Sequence, residues 1–215
     1  MGILMALVDY IPVALFLIAS IFYQRALYNK MSKGAFALFS AGTIFVFVAG
    51  FFKATHKLLF EANICNFYLL SECFFPMQTI GFVLAGCGIV AMLIYPQGKN
   101  TAYSIAILPI ILWMVASTKD FKGTMLFVAL MVLGVLILDY SLAYIAIKRK
   151  NYLILLFLVI AFIATLGMGY LSSKSEISDW YKEIINLIGQ ASFLTSAILF
   201  KKRGLYNINY LDFKK

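Results

Sequence analysis

Residues 123–147 read GTMLFVALMVLGVLILDYSLAYIAI, a run in which the only charged residue is Asp139. About 20 consecutive apolar residues suffice for a helix to cross the ~30 Å hydrocarbon core of a bilayer. The stretch is therefore read as a transmembrane helix, with Asp139 as a carboxyl group held inside the membrane. Working outward, the same texture recurs along the chain. The further apolar stretches are Leu4–Tyr28, one that begins after Lys33 and runs through Lys53, His56 and Lys57, Phe67–Tyr95, Ala102–Ser117, Tyr152–Leu171 and Trp180–Phe200.

The composition agrees. Of 215 residues, 63% are hydrophobic and 13% charged, with a mean hydropathy of +0.94, against roughly 45–50% apolar and about 25% charged in an average soluble domain. Seven stretches of about 22 residues occupy roughly 154 positions and leave about 61 for connections and tails. That remainder has no room for a kinase, ATPase or DNA-binding module. The fold expected is an all-α membrane protein, a seven-transmembrane helix bundle forming one domain over residues 1–203. A short interfacial tail over 204–215 interleaves Leu205, Tyr206, Ile208, Tyr210, Leu211 and Phe213 with polar residues. Short connections make sequential helices antiparallel neighbours. The fourth stretch, with Pro109 in its middle, is short: at ~1.5 Å per residue it reaches only ~24 Å.

The formal charge of +9 is read as topology rather than as affinity for nucleic acid. Lys and Arg are enriched in cytoplasmic loops. Alternating ends collect 12 cations on one side (Arg25, Lys30, Lys33, Lys99, Lys148, Arg149, Lys150, Lys201, Lys202, Arg203, Lys214, Lys215) and 6 on the other (Lys53, Lys57, Lys119, Lys122, Lys174, Lys182). The amino terminus is thus expected outside and the carboxyl terminus in the cytosol, in the plasma membrane. The first cation is Arg25, so the first stretch lacks the basic start of a signal peptide and is expected to remain as a helix. Cys65, Cys73 and Cys87 show no CxxC spacing and are read as small buried residues.

A charge at the bilayer centre costs at least ~2.5–3.5 kcal/mol, which makes each intramembrane ionisable group a candidate for function. Counting outward from the first two hairpin turns puts Asp9 level with Lys53, and His56 and Lys57 level with Glu72. Asp9, Lys53, His56, Lys57 and Glu72 should therefore gather near the outer face. One reading is that long side chains snorkel to the headgroups while Asp9 and Lys53 neutralise each other. The other is a polar vestibule for an anionic or zwitterionic headgroup or solute. Asp139 lies nine residues before Lys148, or ~13.5 Å along the helix, level with Ser192 of the last helix. Asn186, Gln190, Ser192, Thr195 and Ser196 form a polar arc there, so the fifth and seventh helices are expected to face each other. The contact serves either as packing glue or as a ligand, ion or proton site. In the third helix, Gly81, Ala85, Gly86 and Gly88 permit close helix packing, and Pro76 is placed to kink it.

Catalytic signatures are lacking. The single histidine excludes bis-histidine haem and three-histidine zinc sites, and HExxH, CxxC, GxGxxG and GxSxG do not occur. Neither cofactor nor metal is expected. The function expected is binding of a small molecule or lipid between the helices, as a facilitator or as a transport or sensing subunit of a larger assembly with a protein partner or further copies. The site would draw on Asp9, Lys53, His56, Lys57, Glu72, Asp139, Asn186, Gln190 and Ser192. A lipid-directed enzyme and a purely structural subunit are the alternatives.

Overall fold

The computed structural model describes residues 2–94, 104–118, 124–172 and 179–203. These residues are almost entirely helical, and no strand occurs among them. The helices are α1 (Ile3–Val8), α2 (Tyr10–Leu27), α3 (Lys33–Glu61), α4 (Tyr68–Glu72), α5 (Phe74–Ile94), α6 (Ser104–Thr118), α7 (Thr124–Lys148), α8 (Tyr152–Ser172) and α9 (Asp179–Lys202). Five helical stretches are long and apolar enough to cross a membrane: Ile3–Leu27, Lys33–Glu61, Tyr68–Ile94, Leu126–Lys148 and Asp179–Lys202. The shortest of them, at 23 residues, reaches ~34 Å at ~1.5 Å per residue. In α6, 15 residues reach only ~22 Å. The cations Lys99, Lys119, Lys122 and Lys174 and the tail 204–215 lie outside the described residues.

Apolar side chains face outward on α2, α3, α7, α8 and α9, whereas α5 is largely enclosed. Ile44 of α3, Leu133 and Tyr140 of α7 and Ile163 of α8 are all exposed. Buried among the helices are polar groups such as Ser20, Thr43, Thr79, Ser141, Ser192 and Ser196. Water would penalise so large an apolar exterior, whereas lipid favours it, and the chain has the make-up of a membrane-embedded protein.

Two expected continuous helices are broken, each three residues before a proline. The α1–α2 break falls at Asp9, ahead of Pro12, and the α4–α5 break at Cys73, ahead of Pro76. Proline has no N–H for the carbonyl four residues earlier and its ring crowds that carbonyl. Those carbonyls belong to Val8 and Glu72, the last residues of α1 and α4. Two helix ends form without glycine. Asn63 (φ 54°) and Lys150 (φ 52°) adopt the left-handed conformation. Beyond them Ile64 donates to the Leu59 carbonyl and Asn151 to that of Ala146, at 3.1 and 2.9 Å. This is the Schellman closure of a helix end. Ser32 caps the start of α3, its hydroxyl accepting from the Ala35 N–H at 3.2 Å.

The helices divide into two tightly packed groups. In one, α5 packs on α3 and on α7. A Cβ added at Gly42 would meet the Gly81 carbonyl and the Ala85 backbone, and one at Gly134 would stand 2.7 Å from the Val83 nitrogen. Only glycine admits this approach of backbone to backbone. The α5–α7 seam is closed by Thr79, whose hydroxyl donates to the Phe127 carbonyl at 2.9 Å. In the other group α9 packs on α2 and α8. Phe193 stacks on Phe16 and tilts against Tyr23, and the Tyr23 hydroxyl bonds Ser196 Oγ at 2.7 Å. The groups join through α2–α3 and α7–α8. Between α3 and α5 lies one seam that the small residues of the third stretch had indicated.

The expected face-to-face packing of the fifth and seventh helices is corrected. The principal neighbours of α7 are α5 and α8, not α9. Depth along a hairpin says nothing about which helices adjoin laterally, and α2 takes the place beside α9. Helix α6 lies on α5 with Trp113 Nε1 donating to the Pro76 carbonyl at 3.0 Å, so this tryptophan helps to fasten the two helices.

Candidate functional site

Between the two helix groups lies a cavity of about 400 Å³, within the ~300–1,000 Å³ usual for small-molecule sites. It occupies the half of the bundle that holds the C-terminal part of α3 and the N-terminal parts of α2, α5 and α9. Arg25, Lys148, Lys201 and Lys202 stand at the other end. Its floor is aromatic: Phe16 and Phe82 line it, and they meet edge to face with centroids 6.2 Å apart. Its upper walls carry charge, with Asp9 between α1 and α2, Lys53 and Lys57 on α3, and Asp179, Lys182 and Glu183 on α9. Gln78 of α5, Thr165 of α8 and Asn186 and Gln190 of α9 add neutral polar groups.

Local sequence explains the placement of these side chains. Lys53 and Lys57 are one turn apart and share a face of α3. Asp179, Glu183, Asn186 and Gln190 step along α9 by four, three and four residues, which is one stripe of a helix. Asp9 occupies the turn that Pro12 imposes, where its side chain is 8% exposed. Its Oδ2 forms an ion pair with Lys57, and its Oδ1 is buried with no donor. The hairpin count had matched Asp9 with Lys53; the depth is right and the partner is one turn further on. Lys53 instead places its ammonium over the Phe74 ring, 4.0 Å from the centroid. Lys182 pairs with Asp179 at 3.1 Å. The Glu183 carboxyl lies beside that of Asp9 and accepts a long hydrogen bond from Asn186 Nδ2 at 3.4 Å.

Of the nine residues singled out in the sequence, Asp9, Lys53, Lys57, Asn186 and Gln190 come together in this cavity. Four do not line it. His56 points elsewhere on α3, stacking on Phe60 and meeting the edge of Tyr68, with Nδ1 buried and unpartnered. Glu72 ends the short α4, where none of the helix is buried. Ser192 is buried deeper along α9. Asp139 is partly buried on α7, and no hydrogen bond joins it to the polar arc of α9 among the described residues. The arc is engaged from α2 instead, through Tyr23 and Ser196, with the Asp139 carboxyl within electrostatic reach of the Tyr23 phenol. Glu183, Asp179 and Lys182 were missed by the sequence reading, although the 179–183–186–190 spacing already put them on the stripe of Asn186 and Gln190. Gln78 of α5 was not singled out either.

Among the described residues no three His, Cys, Asp or Glu side chains gather as a metal site would require. The cavity is a place of mixed charge above an aromatic floor, suited to holding a polar molecule and without a nucleophile paired to a base. Compared with family models, with curated proteins and with solved structures, the chain matches none.

Proposed function

We propose that the chain is a seven-helix, multi-pass protein of the plasma membrane that binds a small molecule in the cavity between its two helix groups. It would act as a facilitator, or as a transport or sensing subunit of a larger assembly. The amino terminus lies outside and the carboxyl terminus in the cytosol, with α1–α2 and α4–α5 each counted as one broken span. The observation that carries the binding reading is the cavity itself: six ionisable side chains from α1–α2, α3 and α9 line one cavity, with Asp9 and Glu183 buried and Lys53 and Asp179 more open. Packing glue alone needs no space, because groups that only fasten helices meet one another directly, as Tyr23 and Ser196 do. Discontinuous helices beside a binding site also suit a transporter, in which broken helices bring polar backbone to the cavity. An acid–base enzyme built on Glu72 and His56 is less well supported, since neither lines the cavity.

Native mass spectrometry of the full chain, released from detergent, tests this reading. A small molecule should be retained, and Thr165→Trp, which fills the cavity from α8, should abolish retention. As a second measure independent of retention, Asn186→Cys in a background lacking the native cysteines should react with a small water-soluble thiol reagent. Absence of a bound mass together with an unreactive Cys at 186 would refute a ligand cavity.

A further inference from the structure

The charges of the cavity are balanced in number but not in pairing. Asp9 is paired with Lys57, and Asp179 with Lys182. One acid and one base remain, Glu183 on α9 and Lys53 on α3. Each acts electrostatically on the other, yet no ion pair joins them. Lys53 is exposed and meets the face of Phe74, while the buried Glu183 has the long Asn186 contact and the neighbouring carboxyl of Asp9. The acidic side is also crowded, because two carboxyls, one with an oxygen lacking any donor, share the single Lys57. Glu183 is buried, and a buried carboxyl with no cation of its own is costly; the cost falls when a molecule supplies the counter-charge and offers Lys53 an anion in turn.

We infer that the ligand of this cavity is a small zwitterion with an apolar body, its cationic group taken by Glu183 and Asp9 and its anionic group by Lys53. The inference rests on the ligand cavity proposed above and specifies its chemistry. The apolar body rests on the floor of Phe16 and Phe82, with Phe47 and Phe75 at the sides. A cation alone leaves Lys53 unanswered, and an anion alone leaves Glu183 so. The same chemistry is offered by a free amino-acid-like solute and by the headgroup of a zwitterionic lipid.

The test uses four probes on the full chain purified in a non-ionic detergent, read by the shift in melting temperature. L-phenylalanine, phenethylamine and 3-phenylpropionate share one apolar body and differ only in charge; lysophosphatidylethanolamine presents a zwitterionic headgroup. Stabilisation by phenylalanine beyond that by either singly charged analogue supports a solute site. Stabilisation by the lysolipid without phenylalanine supports the zwitterion with a lipid as its source. In either case Lys53→Met and Glu183→Gln should each weaken apparent affinity at least tenfold while remaining folded. Equal stabilisation by the amine or the acid alone overturns the zwitterion and leaves the cavity standing. No shift with any probe also overturns it, and the mass-spectrometric retention test then judges the cavity separately.

Discussion

Replacing Gly42 by alanine should do more damage than the same change at Gly50 of α3, where the added Cβ meets only the Val13 side chain. At Gly42 the new Cβ would stand 2.8 Å from the Ala85 Cα and 2.5 Å from the Gly81 carbonyl oxygen. Non-bonded carbons rest ~3.5–4.0 Å apart, so α3 and α5 must separate by about 1 Å. No rotamer relieves this, because the obstructing atoms are backbone. Overpacking of this kind costs about 1–3 kcal/mol, and the helix-propensity gain of ~1 kcal/mol on replacing glycine offsets only part of it. Gly167 on α8 supplies the control: its added Cβ meets nothing nearer than Ile185 Cγ2 at 3.8 Å, so Gly167→Ala should be neutral or mildly stabilising. Thermal unfolding of both variants in detergent, followed by circular dichroism, should give a clearly lower midpoint for Gly42→Ala alone. Because the clash is with the backbone of Ala85 and not its methyl, adding Ala85→Gly should fail to rescue Gly42→Ala. Full rescue, or equal midpoints for Gly42→Ala and Gly167→Ala, would refute backbone-to-backbone packing at this crossing.

The Asp9–Lys57 ion pair predicts a double-mutant cycle in which Asp9→Asn and Lys57→Met each lower stability by about 1–3 kcal/mol and their combination recovers part of the loss; additivity at Lys57 with coupling at Lys53 would restore the pairing first expected. Tyr23→Phe should cost about 1 kcal/mol by removing the hydroxyl that meets Ser196, and adding Ser196→Ala should cost little more, so a double variant as unstable as two independent losses counts against that bond. For topology, Cys65 is exposed beside α3 and should be labelled on intact cells by a membrane-impermeant thiol reagent in a Cys73→Ser, Cys87→Ser background. A cysteine at Tyr152, which is 68% exposed at the opposite end, should react only after the membrane is opened; the reverse pattern inverts the orientation.

The positions of the helices along the chain were legible in the sequence because apolar length alone decides them. Segment ends at Lys33, Lys148 and Tyr152 recur within a residue or two in α3, α7 and α8. The breaks at Asp9 and Cys73 were written in Pro12 and Pro76, although only Pro76 was read as a kink, and that within one helix. Depth was legible too, so Asp9 and the Lys53–Lys57 face meet at one level. Rotation and lateral neighbours were not. One turn separates Lys53 from Lys57, and the choice between them is made by the Phe74 ring, which belongs to another helix. His56, three residues from Lys53, is carried off the cavity face by the turn of the helix and packs with Phe60 and Tyr68. Asp139 and Ser192 share a depth, but α2 stands beside α9 where α7 had been expected. Glu183 was overlooked for a different reason: close to the start of an apolar span, an acid reads as an interfacial charge, and only its spacing to Asn186 and Gln190 betrays an inward stripe.

The glycine crossings at Gly42 and Gly134 have a mechanical consequence. Where backbone lies on backbone there is no slack for sliding, and α3, α5 and α7 are bound to travel as one rigid block. The α2–α8–α9 group is joined to that block through side chains, and its ring contacts at Phe16 can be broken and remade without breaking any glycine crossing. If the chain acts as the facilitator proposed above, the motion with least resistance is a displacement of one three-helix block against the other, with the turns after α2 and after α7 as pivots and the Phe16–Phe82 contact, which spans the boundary, parting.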